Sequence, residues 1–461
     1  MNLNTPNFLF LFLPIFIPLF AIMKGRFRLL FGIAGSIIFY SWGNSGYIFL
    51  MAGLTIFAYL VAWGIDHWRS SRLSLFLLWV GIFSVLALLV VFKLQSDAAY
   101  PLGLSYVAFQ VIAYFVEAYK KESEFEKDLL KFSFYLLLFP KIPVGPIVRY
   151  SQVRSQIADL RVNPQDMADG LRRFLKGFAK KALIADTLAK VVTPIFNLQS
   201  PIISPSIAWL VIISYSLQLY FDFSGYTDMA LGVGKMMGLR FMENFNFPYL
   251  SRSISDFWRR WHISLSNWFR DMVFYPLERR RLKWFGQSIN ILVVFILTGL
   301  WHGLTRNFLI WGLIHGLALV FESTSLGRKL RDFWVPFQHA YALSVILVGW
   351  VFFRSPTPDF ALDFLRRLVG DTSGIQVLPF ELTSPLPFIE PTFVLALALG
   401  VVLCFPVGPW LQKIVPNIRD GPSLKYLSLQ ITYDIVLLFI FFAALGSAAS
   451  AAYQPGIYGT F

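Results

Sequence analysis

Two histidines lie in unusual company. His262 sits in DFWRRWHISLSNWFRD and His302 in TGLWHG, and the whole chain has only five histidines. His302 follows ILVVFILTGLW, an apolar run that suits a membrane interior, with Gly299 and Gly303 beside it. An ionisable side chain inside such a run is a functional candidate by default. An imidazole titrates near neutrality, and burial favours its neutral form, which is the form of a general base. Small neighbours leave room for a ligand or for another helix. The alternative for His302 is a histidine satisfied in helix packing.

His262 borders a stripe of Ile254, Trp258, Trp261, Leu265, Trp268 and Met272. That four-three spacing predicts one amphipathic helix over 253–272. Arg259, Ser266 and Arg270 occupy its opposite face, and Ser253 with Asp256 has the spacing of a capping box. Tryptophan on one face and arginine on the other suit an interfacial helix. His262 then faces either a cavity or the headgroups. His315, in WGLIHGLAL, is expected to pack, and His67 and His339 border basic loops. No metal site is expected from His262, His302 and His315, because neither an i, i+4 histidine pair nor HExxH occurs. The absence of a P-loop and of a GxSxG elbow argues against ATP-driven work and a self-contained serine hydrolase.

The housing for these residues is membrane-embedded. Of 461 residues, 56% are hydrophobic and only 14% charged, against about 25% charged in soluble domains. Several runs reach the ~20 apolar residues that cross a bilayer. The net charge of +14 is carried in short clusters between apolar runs. That pattern fits the positive-inside rule and anionic headgroups rather than nucleic acid. The single cysteine, Cys404, excludes a disulfide framework.

Eleven spans are expected, at 8–23, 29–42, 47–63, 73–92, 102–119, 202–221, 289–301, 308–322, 340–353, 392–411 and 427–449. Positive charge follows the first span and does not precede it, so that span is expected to be uncleaved with the N-terminus outside. FSFYLLLFPKIPVGPIV at 132–148 reads as a re-entrant segment or a kinked span. Residues 149–190 are basic and in part amphipathic. FDFSGYTDMALG places Asp222, Ser224, Tyr226 and Asp228 beside apolar sequence, in a chemical role or at the interface. A single membrane domain over 1–461 is expected: N-terminal spans 1–131, a re-entrant and interfacial core 132–330 holding the active site, and C-terminal spans 331–461.

The runs DFWRRWHISLSNWFRD and TGLWHG resemble the membrane-bound O-acyltransferase family, and most closely its bacterial branch containing the alginate O-acetyltransferase membrane subunit. PLGLSYVAFQ, FPKIPVGPIVRY, YFDFSGYTDMALG and GWVFFRS extend the resemblance over much of the chain. Where many relatives read YVIDVY this chain reads YFVEAY, with Glu117. The resemblance implies an all-α polytopic membrane protein of about eleven transmembrane helices, with re-entrant and interfacial helices around a central funnel. It implies that His302 and His262 are catalytic, and points to Trp301, Trp261, Asp222 and Ser224 as substrate-binding candidates. No bound cofactor is implied, because acetyl-CoA is a substrate. The implied reaction moves acetyl from cytoplasmic acetyl-CoA to an extracytoplasmic polysaccharide, directly or through a periplasmic or extracellular SGNH-type partner. Arg149, Arg173 and Lys181 would attract the CoA phosphates or serve only as topology determinants. The expected location is the bacterial inner membrane, in contact with membrane lipids. Two other readings stand beside it: D-alanyl transfer toward teichoic acid from a carrier-protein thioester, and a non-catalytic polysaccharide-export component.

Overall fold

The computed structural model describes residues 1–42, 46–95, 101–122, 124–142, 144–279, 286–375, 390–408, 410 and 424–450. These residues form helices and no strands. Ten of the eleven expected spans fall on helices over most of their length, whereas the 392–411 span is helical over Pro391–Leu403 before the chain turns at Cys404. Five of the helices are long and apolar enough to cross a membrane: Tyr47–His67, Arg72–Leu94, Pro205–Met236, Val335–Arg354 and Leu427–Ala449. A sixth, Arg306–Ser323, bends by 79° into Ser325–Asp332. Asn7–Ile22, Gly286–His302 and Pro391–Leu403 are apolar but shorter. Asn44, residues 96–100, residues 376–389 of the connection expected at 356–391, and Lys413 and Arg419 lie outside the described residues, and the described part of that connection holds the helix Pro358–Leu368.

The chain folds into two compact units. The first contains 1–178 and 225–243. Its centre is a phenylalanine cluster in which Phe8, Phe12, Phe16 and Phe39 surround Phe139 at ring-centroid distances of 4.9–6.1 Å. Phe139 is placed there by the proline-rich segment. The helix Leu129–Leu137 stops before Pro140, a short 3-10 turn follows, and an irregular stretch leads to the helix Tyr150–Ala158. Proline removes backbone donors, so the helix cannot continue through this stretch. The segment is thus broken, as its sequence suggests, and its irregular backbone is buried in protein.

Two basic residues, Arg28 just after the first span and Arg173, have structural partners in this unit. Arg28 donates to the carbonyls of Ala21, Met23 and Leu160. Arg173 holds Asp228 at 2.9 Å and Glu243 at 2.5 Å.

The second unit contains 179–224 and 244–457. A π-helical turn, Lys180–Ala185, leads into Asp186–Phe196, and the first part of Pro205–Met236 follows. The expected single helix over 253–272 is not formed. Ile254–Arg260 ends at Trp261, whose backbone is extended, and Ile263–Phe269 begins anew after His262. His262 is left-handed, with φ 42° and ψ 55°. That conformation costs an L residue about 1–2 kcal/mol, so the corner must be imposed by its surroundings. The stripe residues Ile254, Trp261, Leu265 and Trp268 are buried in protein, and Trp258 and Met272 are half-buried.

Candidate functional site

The second unit brings the two histidines to one aromatic group. The Trp301 ring centroid is 4.5 Å from that of His302 and 6.3 Å from that of His262, edge-on to both. The two imidazoles are therefore no further apart than the sum of those distances. His302 is the last residue of Gly286–His302. It is enclosed by Trp311 and Phe353, each 5.0 Å away, and by Phe308. His262 meets the edge of Phe223 at 4.7 Å. Both histidines are buried. Burial lowers the His262 imidazole to about 3, which leaves it neutral at physiological pH.

The room beside His302 is taken by a helix. A Cβ at Gly299 would lie 2.4 Å from the Phe308 carbonyl oxygen, and one at Gly312 would lie 2.4 Å from that of Phe295. The helices Gly286–His302 and Arg306–Ser323 thus approach backbone to backbone, which only glycine allows at these two positions. This contact seats His302 against Trp311 and Phe308.

The His262 corner is held at two helix starts. Ser253 accepts from the Asp256 amide at 3.0 Å, as an N-cap should. In return the Asp256 carboxylate accepts from the Arg252 amide and not from that of Ser253. Glu322, at the end of Arg306–Ser323, takes the remaining orphan amides. Its Oε1 accepts from Ile254 N at 2.5 Å and its Oε2 from Ser255 N at 3.0 Å.

The other expected site residues fall as follows. Trp261 is buried among Phe245, Phe257 and Trp350. Asp222 is ion-paired with Lys181 at 2.7 Å, and Lys181 also holds Asp186 at 2.6 Å. Phe223, the neighbour of Asp222, is the residue of that motif that touches His262. Ser224 is buried, and its hydroxyl has no hydrogen-bond partner among the described residues. His315 is fully buried against Trp258, Trp311 and Phe257, and neither ring nitrogen has a hydrogen-bond partner among the described residues. That is the packing role its sequence suggests. Phe223 and Glu322 were not singled out by sequence. The signal for Glu322 was a carboxylate at the end of an apolar run.

A cavity of about 490 Å³ opens beside the corner. Trp258, Leu265, Val294 and Phe295 make its apolar wall, and Arg259, Arg270, Arg328 and Arg331 also line it. Ser266 and Thr298 line it too, each one helical turn from a histidine. A second hollow of about 760 Å³, which we call the polar hollow for its mainly polar lining residues, shares Ser255, Arg259 and Arg331 with it and adds Arg252, Asp256, Arg260 and His339.

Residues 126–353 match the model of the MBOAT, membrane-bound O-acyltransferase family. The chain is 37% identical to the probable alginate O-acetylase AlgI of Pseudomonas putida, covering all of both chains. It is 32% identical to the peptidoglycan O-acetyltransferase of Helicobacter pylori, over 80% of this chain and 79% of that one. It is 31% identical to the teichoic acid D-alanyltransferase of Bacillus subtilis, over 54% of this chain and 66% of that one.

Proposed function

Because this chain belongs to the membrane-bound O-acyltransferase family and is a multi-pass membrane O-acyltransferase, we propose that it carries acetyl groups from cytoplasmic acetyl-CoA to hydroxyls of an extracytoplasmic polysaccharide. Transfer is direct or passes through the serine of a periplasmic or extracellular partner. The observation that carries this reading is the meeting of His262 and His302 on one indole, Trp301, although forty residues separate them in sequence.

In this reading neutral His302 takes the proton of the acceptor hydroxyl. The oxygen attacks the thioester carbonyl and forms a C–O bond. The C–S bond breaks, and the imidazolium returns its proton to the departing thiolate. Such general-base help is worth roughly 10²–10⁴-fold. His262, which burial keeps neutral, orients or polarises a reactant. The cavity supports the donor assignment: an apolar slot suits an uncharged thioester arm, and the arginines it shares with the polar hollow suit phosphates. Arg173 and Lys181 are held closely by carboxylates of their own units, whereas Arg259 meets Asp256 only at 3.5 Å and keeps 69% of its side chain exposed, so the donor's charge is assigned to Arg259 and Arg331 instead. The arginine-lined face is then cytoplasmic, in the bacterial inner membrane, with the N-terminus outside.

The alternative, D-alanyl transfer from a carrier-protein thioester, rests on a relative matched over little more than half of this chain, whereas the O-acetylase match spans all of it. A non-catalytic export role has no support from relatives named as an O-acetylase, an O-acetyltransferase and a D-alanyltransferase. Replacing His302 by Ala, with membrane insertion confirmed, should reduce glycan acetyl content at least ~10²-fold. Unchanged acetylation would overturn the role of His302. Purified protein given labelled acetyl-CoA and D-alanyl carrier protein in turn should consume the first, and consumption of the carrier alone would overturn the donor.

A further inference from the structure

We propose that Asn244 is the positioning residue of His262; the proposal rests on the reading that His262 serves acyl transfer. Asn244 is fully buried. Its backbone oxygen accepts from Ile263 N at 3.0 Å, and its side-chain Oδ1 accepts from Ser264 N at 3.0 Å. One residue therefore receives both amides that follow His262. Two residues on, Asn246 N donates to the Arg260 carbonyl at 2.9 Å, and Arg260 donates back to the Asn246 carbonyl. The strand of chain at 244–246 thus runs beside 260–264 and grips the corner before and after His262.

The corner needs such a grip. His262 is left-handed without being glycine, and the helix it starts, Ile263–Phe269, has only seven residues. A helix that short is unstable alone, because nucleation is costly. The His262 side chain gives it no cap. Asn244 supplies that cap from outside, with an oxygen where an N-cap side chain would place one. The amide orientation is set by chemistry, since only Oδ1 can accept from the Ser264 N–H. Asn244 Nδ2 has no partner among the described residues, so the grip is made by the two oxygens. Losing the side-chain oxygen would free the Ser264 amide and let His262 relax toward ordinary backbone angles, turning its ring away from Trp301.

The test uses full-length protein in detergent or nanodiscs, with wild type, N244A, N244D, H262A and N244A/H262A. N244D is nearly isosteric and keeps an oxygen acceptor for Ser264. Acyl transfer from acetyl-CoA should fall about 10²-fold in kcat for N244A, the cost of a misplaced group, with the donor KM nearly unchanged. N244D should recover most of that loss. In the H262A background N244A should add no further loss, because both changes remove the same contribution. A second readout needs no substrate: the rate of carbethoxylation of each histidine, mapped by peptide mass spectrometry. His262 should react faster in N244A and return toward wild type in N244D, with His302 and His315 unchanged. Additive losses in the double variant, equal impairment of N244D and N244A, or an unaltered His262 rate would each overturn the proposal. A wild-type protein that transfers no acetyl at all overturns the functional reading, and the modification rates still decide the positioning role.

Discussion

Lys181 offers a measurement that separates structure from chemistry in the FDFSGYTDMALG motif. Its side chain is 4% exposed, and its ammonium lies 2.7 Å from Asp222, whose side chain is also 4% exposed, and 2.6 Å from Asp186, whose side chain is 22% exposed. Replacing Lys181 by Met removes the cation and leaves two carboxylates facing one another. Breaking a buried pair from one side costs about 3–5 kcal/mol. Asp186 offers partial relief. Burial already raises its carboxyl to about 6 although Lys181 pulls it down. Without Lys181 it should rise further and bind a proton in the folded state. A carboxyl raised above its unfolded value stabilises below its folded pKa and loses that contribution as pH rises through it. The Lys181→Met loss should therefore be larger at pH 8 than at pH 6. Lys181→Met with Asp222→Leu removes both fully buried charges and leaves Asp186 partly hydrated. The double variant should be more stable than Lys181→Met alone, with a coupling of about 2 kcal/mol or more. Unfolding titration with SDS in mixed micelles at the two pH values reads these differences. A Lys181→Met variant as stable as wild type, or strictly additive losses, would refute the reasoning. Asp222→Asn should keep its acyl-transfer rate per folded molecule, because Lys181 retains Asp186. A selective loss of rate there would support the substrate-binding role expected of Asp222.

Three further outcomes follow from the site. Glu322→Ala strands the amides of Ile254 and Ser255 and should cost about 2–4 kcal/mol in the same titration. Glu322→Gln, which keeps one acceptor, should lose clearly less, and equal losses would argue against the cap. Gly299→Ala forces a methyl to within 2.4 Å of the Phe308 carbonyl. It should cost about 1–3 kcal/mol as the helices part and should lower acyl transfer, so wild-type values in both assays would contradict the close approach. A histidine buried neutral loses stability as pH falls below its unfolded value near 6.5, because only the unfolded chain takes the proton. Burial lowers His262 to about 3, so wild type should lose on the order of 2 kcal/mol more than His262→Gln between pH 6.5 and 5. Parallel pH curves would show that His262 is already hydrated.

Much of this molecule is legible along the chain, because its strongest signals are local. Apolar length and proline content mark the helices and the break at 132–148, and neither depends on what those segments touch. His302 was legible for the same reason: an imidazole in an apolar run is an anomaly wherever the run goes. The roles of the charged residues were not legible. Arg173, Lys181 and Asp222 look like topology markers or candidate ligands in sequence, and Glu322 marks only the end of an apolar run. Their partners lie 5 to 70 residues away.

The His262 corner shows why pattern fails at this place in particular. The stripe from Ile254 to Met272 fits a straight helix well, and every residue in it has a side chain a helix accepts. Local preference therefore favours continuing through residue 262, and a left-handed histidine adds about 1–2 kcal/mol against the break. The break is repaid by acceptors that sequence spacing does not reveal: two from Glu322 to one helix start, two from Asn244 to the other, and the Asn246–Arg260 pairing between them. A straight helix would leave those acceptors without their amides. It would also carry His262 onward with the helix surface instead of turning it to Phe223 and Trp301. The cost of the corner and the placement of the imidazole are thus one structural choice, paid for by residues whose own chemistry is only to accept hydrogen bonds.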